Sequence, residues 1–184
     1  MTEPAAASRA HPSDADLVQA YRNGDERGAT ELVLRHARAV ARFLAGSGAD
    51  PADVDDLVQE TFLRAFRAVR RWRGEASFRT WLLAIARNRL RDHHRRQGGR
   101  QVLVLEESDA LAPDDPASAL EATELEHRLE AGLRRLPRLQ REVFLLRAQQ
   151  GLDYEAIAAA LDTTPGAARV HYHHAVKRLK ELVT

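Results

Sequence analysis

The sequence predicts an all-α protein made of two small helical domains joined by a flexible acidic linker, the C-terminal domain being a helix-turn-helix. Three observations carry this. Apolar residues recur at helical spacings along most of the chain, and Val102 to Leu105 is the one short run that suits a strand. Charge falls into blocks: Thr61 to Arg100 holds twelve arginines against two acids, Glu75 and Asp92, whereas Gln101 to Glu126 holds eight acids and no Lys or Arg. Finally, Asp153 to Leu161, a polar turn over Asp162-Thr-Thr-Pro-Gly166, and a basic segment ending at Leu182 have the lengths of a short helix, a tight turn and a longer second helix.

The elements follow in order. Residues 1–12 are Ala, Pro and polar and read as a frayed start. Helices begin near Asp14 and near residue 25, the second closed by Gly46 and Gly48. Asp50-Pro51 supplies a cap and a first-turn proline for a helix reaching Trp72, where Gly74 stops it. Ser77 caps the next helix, which runs to Gln97 before Gly98-Gly99. This delimits a first domain, 1–97. Gly, Asp and Pro without sustained periodicity mark 98–117 as the linker. Asp115-Pro116 opens a helix interrupted before Pro137, and shorter helices over 138–149, 153–161 and 165–182 complete a second domain, 118–184.

Composition bounds the chemistry. With 44% hydrophobic residues in 184, the chain buries a core. The net charge of +1 is an average over opposed blocks, so the layout informs about partners more than the total does. Absence of cysteine excludes disulfides, thiol catalysis and Cys-ligated metal. No apolar run approaches the roughly 20 residues of a membrane span, and Met1 to His11 lacks the apolar core of a secretory signal. A cytoplasmic protein without direct membrane insertion is expected.

Two faces of the first domain stand out. On the helix after Asp50, Val54, Leu57, Val58, Phe62, Ala65, Phe66 and Val69 form a buried stripe. Asp56, Gln59, Glu60 and Leu63 recur at i, i+3, i+4 and i+7 on another side, a face suited to a basic protein surface. On the next helix, Arg87, Asn88, Arg91, His94 and Arg95 stack into a cationic stripe. At that density arginines repel one another unless a polyanion neutralises them. The preceding loop carries aromatics at both ends, Trp72 and Phe78, which beside arginines suit stacking of single-stranded bases; core packing is the alternative for both and for Trp81.

In the last helix Ala168, Tyr172, Ala175, Leu179 and Leu182 form the inward stripe. Val170, His173, His174 and Lys177 lie opposite, flanked by Arg169 and Arg178, as in a helix that reads the major groove. His171 and His174 lie one turn apart without an acid or further His beside them, so no metal site and no cofactor is expected.

Asp55-Asp-Leu-Val-Gln-Glu-Thr-Phe-Leu-Arg-Ala-Phe66 and Ser77-Phe-Arg-Thr-Trp-Leu-Leu-Ala-Ile-Ala-Arg-Asn-Arg89 resemble region 2 of bacterial RNA polymerase sigma factors. Leu133-Arg-Arg-Leu-Pro-Arg-Leu-Gln-Arg-Glu-Val-Phe-Leu-Leu146 with the helix-turn-helix resembles their region 4. Having these two regions across nearly the whole chain, the sequence is similar to the extracytoplasmic-function (ECF) group. The resemblance implies that Asp55, Asp56, Gln59, Glu60 and Leu63 dock on the clamp helices of the largest core polymerase subunit, with the beta flap as a second contact. It implies that Trp72, Phe78, Arg79, Arg87, Asn88, Arg91 and Arg95 recognise and melt the promoter −10 element. Arg169, Val170, His171 and His174 then occupy DNA-facing positions for the −35 element, joined by the outward His173, Lys177 and Arg178. An anti-sigma factor is implied as a further partner, and the linker as a segment threading near the polymerase active site.

Two departures bear on the promoter. His171 stands where an Arg is usual, which weakens guanine-type bidentate contact and introduces pH sensitivity, and Asp162 stands where Gly is usual. Function is expected to be promoter-directed initiation without covalent catalysis. The alternative is a stand-alone helix-turn-helix regulator, which binds palindromic sites as a dimer. A helical hydrolase lacks a nucleophile–base pair, and Asp55-Asp56 and Asp92-His93-His94 lack a complementary half with metal-ligand spacing.

Overall fold

A computed structural model describes residues 11–97 and 121–183; the expected linker, 98–117, and the candidate strand at Val102 to Leu105 lie outside them. The described residues are helical throughout, with short turns between. Helix α1 (Asp14–Arg22) starts at a capping box: Ser13 Oγ accepts from Asp16 N at 3.2 Å and Asp16 Oδ2 from Ser13 N at 2.9 Å. The hydrogen bonds from Ser13 hold the Asp16 carboxyl below the usual carboxylate range. Gly24, at φ 94°, turns the chain, and Asp25 caps α2 (Glu26–Gly46). Helices α1 and α2 approach so closely that a Cβ on Gly28 would lie 2.4 Å from Leu17 O. His36 Nε2 and Asp14 Oδ2 meet at 2.7 Å across the pair, with Arg35 reaching the same carboxylate at 3.3 Å.

The helix expected from Asp50 to Trp72 is broken at both ends into single 3-10 turns, Pro51–Asp53 and Val69–Arg71, around α3 (Val54–Ala68). Asp50 caps the first, its Oδ1 accepting from Ala52 N at 2.9 Å. At the other end the Arg22 guanidinium donates to Val69 O, which also accepts from Trp72 N, and to Trp72 O, tying the 3-10 turn to α1. Ser77 Oγ accepts from Thr80 N at 3.1 Å and opens α4 (Phe78–Gln97). Val18, Leu32, Phe43, Leu44, Leu57, Phe62, Leu82, Leu83 and Leu90 close the core between these four helices.

The second half comprises α5 (Glu121–Arg134), α6 (Arg138–Phe144), α7 (Tyr154–Leu161) and α8 (Pro165–Val183). A π turn, Leu145–Gln149, extends α6, where an unbroken helix to 149 is expected from the sequence. Asp153 Oδ1 caps α7 from Ala156 N at 2.7 Å, and Thr164 Oγ1 caps α8 from Ala167 N at 3.2 Å. Ala168, Ala175 and Leu179 are buried as the stripe requires, and Tyr172 is half-buried. Leu182, one turn further, is 40% exposed. Between α7 and α8, Asp162 adopts φ 53° and ψ 54°, and its N–H and that of Thr163 both donate to Ala158 O. This left-handed cap is the physical reason glycine suits the position, and Asp is among the few side chains that tolerate it.

The halves pack on one another: α7 lies against α4, and Leu145 sits on Gly46, where a Cβ would meet its side chain at 2.8 Å.

Gly28→Ala pushes a methyl group against backbone and is expected to cost about 1–3 kcal/mol, read as a lower midpoint in thermal or denaturant unfolding. At the left-handed cap, Asp162→Val is expected to cost about 1–2 kcal/mol in the same measurement, while Asp162→Gly does not destabilise.

Candidate docking and nucleic-acid surfaces

Helix α3 buries Leu57, Thr61, Phe62 and Ala65 against the core, which leaves Asp55, Asp56, Gln59, Glu60 and Leu63 exposed on its outer side. Leu63 is 56% exposed, one of few large apolar side chains so placed. Glu60 is tied inward, forming an ion pair with the Arg89 guanidinium of α4. Arg89 is 2% exposed and also faces Asp92 at 3.7 Å. Burial with Arg96 nearby pushes the Arg89 pKa down, against the pull of Asp92. Spacing places the Arg89 stem toward the core; the Glu60 partner comes from another helix and is not legible in it.

Apart from the buried Arg89, the arginines of α4 divide between solvent and the second half. Asn88, Arg91 and Arg95 are exposed, Arg95 pairing with Asp92 at 2.6 Å. Arg87 and Arg79 instead face the second half, a departure from a single free cationic stripe. Arg87 Nε donates to Glu142 Oε2 at 2.9 Å. Arg79 donates to Gln150 Oε1, and burial followed by the neighbouring Arg42 pushes its pKa down. Glu142 is 1% exposed, and its other oxygen accepts from Arg138 at 2.7 Å. Gln150 completes the junction by donating to Ala39 O at 3.3 Å. His94 also leaves the stripe: its Nε2 lies 3.2 Å from Gly48 O, and burial, with Arg138, His93 and Arg141 around it, holds its pKa below the usual value.

Phe78 departs from the reading as a stacking surface. It is 1% exposed and packs against Trp72, Trp81 and His36 with centroids 5.9, 5.7 and 5.6 Å away. The N-cap at Ser77 turns the first residue of α4 into the core, so the alternative of core packing holds for Phe78. Trp72 is half-buried and donates its Nε1 hydrogen to Ala76 O at 3.1 Å, which fixes the loop before α4.

On α8, Arg169, Val170, His173, His174, Lys177 and Arg178 are exposed, Val170 at 53%. His171 is half-buried and its Nδ1 is enclosed without a hydrogen-bond partner, so its ring leans toward the domain rather than outward. Tyr154 of α7 receives two guanidinium groups over its ring, Arg147 at 5.0 Å and Arg169 at 5.2 Å. Arg147 is a cation beside this surface that helical spacing does not reveal; its place in the π turn hides its direction. Among the described residues no three His, Asp or Glu side chains converge on a candidate metal position. Among them, too, no helix is long and apolar enough to cross a membrane.

Comparison with known proteins agrees with this division. Residues 32–100 match the family Sigma-70 region 2 and residues 126–179 match Sigma-70, region 4. The chain is 38% identical over 165 residues to the ECF RNA polymerase sigma factor SigF of Caulobacter vibrioides, covering 88% of this chain and 84% of that one. Its fold is similar to that of CnrH in complex with the cytosolic domain of CnrY, with a TM-score of 0.72, 28% identity and coverage of 94% and 97%. It is also similar to the sigma factor RpoE in complex with the anti-sigma factor NepR from Bartonella quintana, with a TM-score of 0.66, 25% identity and coverage of 84% and 95%. The two matched regions in order, the helical architecture and the relative at 38% identity lead to one conclusion: this chain belongs to the extracytoplasmic-function group of sigma-70-type RNA polymerase sigma factors.

Proposed function

We infer that the domain over 1–97 docks on the clamp helices of the largest core polymerase subunit through the outer face of α3 and engages the −10 element through α4. In the same reading 98–117 is the connector, and 118–184 meets the beta flap and reads the −35 element through α8. The observation that carries this is Leu63: a half-exposed leucine framed by Asp56, Gln59 and Glu60, on a helix whose other side is core. An apolar anchor ringed by acids and an amide suits a basic helical partner, where one or two central side chains supply most of the binding free energy.

For the −10 element, Asn88, Arg91 and Arg95 supply exposed hydrogen-bonding and cationic groups, and Trp72 the aromatic edge of the loop. Phe78 serves by holding Trp72 in place from the core rather than by meeting a base. Arg79 and Arg87 join this surface once they are released from the second half. For the −35 element, Arg169, Val170 and His174, with His173, Lys177 and Arg178 beside them, form the presented edge of α8. His171 acts from its flank. Each Arg–phosphate contact adds salt-dependent affinity, and apolar Val170 suits a thymine methyl group. The chain works in the cytoplasm as a non-catalytic subunit. An anti-sigma partner is supported by the RpoE relative, whose structure contains NepR.

Leu63→Glu is expected to weaken assembly with core polymerase about tenfold or more, read by gel filtration or pull-down. Normal assembly would remove α3 as the docking face. Replacing Arg91 and Arg95 together by Ala is expected to leave assembly intact while weakening open-complex formation. The slope of log affinity against log salt should become shallower by roughly 0.7–0.9 for each phosphate that the variant no longer neutralises. An unchanged slope would exclude these two arginines from the DNA surface.

A further inference from the structure

Four charged side chains alternate in sign across the seam between α3 and α4: Glu60, Arg89, Asp92 and Arg64. Glu60 and Arg64 lie one turn apart on α3, either side of Leu63 in sequence, and Arg89 and Asp92 lie one turn apart on α4. Within this group Arg89 is anomalous. Its side chain is 3% exposed, its one close partner is the Glu60 carboxylate, and its Nε and Nη1 are enclosed without a hydrogen-bond partner. Asp92 Oδ2 stands 3.7 Å from Nη1, beyond hydrogen-bond reach, while the Asp92 oxygens accept from Arg64 at 3.3 Å and Arg95 at 2.6 Å. A guanidinium has five donors and cannot shed its charge, so burying one with donors unmade is costly. Methionine, unbranched and apolar, fills such a site without that cost. Core packing alone therefore does not account for an arginine at this position.

The partner it does hold accounts for it. Glu60 remains 47% exposed on the face of α3 that carries Asp56, Gln59 and Leu63. A carboxylate offers about four lone-pair sites, so the pair with Arg89 leaves capacity for a second cation. A glutamate loose on a helix surface loses rotamer freedom when a partner takes it, whereas one already held has lost it in advance. We propose that Arg89 is a positioning residue for polymerase docking: from inside the seam it holds the Glu60 carboxylate on the Leu63 face, ready for a cation of the polymerase. This rests on the reading of α3 as the docking face given above. The pair is also asymmetric. Removing Arg89 leaves Glu60 and Asp92 open to water, whereas removing the Glu60 charge leaves Arg89 buried beside one distant carboxylate.

Arg89→Met, Arg89→Lys, Glu60→Gln and the double variant Glu60→Gln with Arg89→Met test this in the full chain. Assembly with core polymerase is read by fluorescence anisotropy of the chain labelled at its N-terminus, and stability by thermal unfolding. Arg89→Met is expected to assemble at least about threefold more weakly without a lower unfolding midpoint, because preorganisation is lost and no charge is orphaned. Arg89→Lys, which keeps a cation for Glu60, is expected to recover most of that loss. Glu60→Gln is expected to lower the midpoint by about 2 °C or more, since it strands the guanidinium. In the Glu60→Gln background Arg89→Met is expected to change assembly no further, because Arg89 acts through that carboxylate. Normal assembly of Arg89→Met overturns the proposal, as does a loss equally large in the Glu60→Gln background. A lowered midpoint for Arg89→Met overturns it too, showing a group that the fold itself requires. Normal assembly of both Leu63→Glu and Glu60→Gln removes α3 as the docking face, a result distinct from normal assembly of Arg89→Met alone.

Discussion

Helix α4 carries two incompatible demands, and much of the structure answers them. Its inner side must close the core of the first half through Phe78, Leu82, Leu83, Ala86 and Leu90, while the same helix bears arginines at almost every remaining turn. Guanidinium groups next to an apolar interior are tolerable only when each finds an acceptor, because the charge cannot be shed by deprotonation. The molecule supplies acceptors from three directions: Glu60 of α3 for Arg89, Asp92 of α4 itself for Arg95, and Glu142 with Gln150 of the second half for Arg87 and Arg79. The positions of α3 and of the α6–α7 pair are thus tied to one charged helix.

This arrangement separates arginines by environment more than by sequence. Arg91 and Arg95 meet solvent and suit contacts that salt tunes. Arg89 is internal and acts as a strut between α3 and α4. Arg79 and Arg87 lie between these extremes, partly dry and satisfied by neutral or acidic oxygens. The same side chain therefore serves as binding surface, internal brace and interdomain contact within one helix.

Periodicity made most of the helices legible, together with caps at Asp50 and Ser77 and stops at glycine, local signals that the backbone obeys. The inward stripe of α8 and the outward exposure of Leu63 follow from the same 3.6-residue geometry. What stayed hidden was whatever depended on a second element. Phe78 reads equally as a base-stacking ring or as core until Trp72, Trp81 and His36 are placed around it. Arg87 belongs to the outward stripe by phase alone, and only the arrival of Glu142, 55 positions later in sequence, turns it inward. The resemblance to sigma regions 2 and 4 assigned the division of labour where spacing left choices open, but it too is silent on contacts between the halves.

The π turn at Leu145–Gln149 has a geometric consequence. The N–H of Gln150 bonds back to Leu145 O, five positions rather than four, so the last turn of the helix is wider than an α turn and ends at Gln150, before Gly151 turns the chain away at φ 69°. From that cap position, at the very end of the widened turn, the Gln150 amide accepts from Arg79 and donates to Ala39 O, so the contact with the first half is made from a helix end.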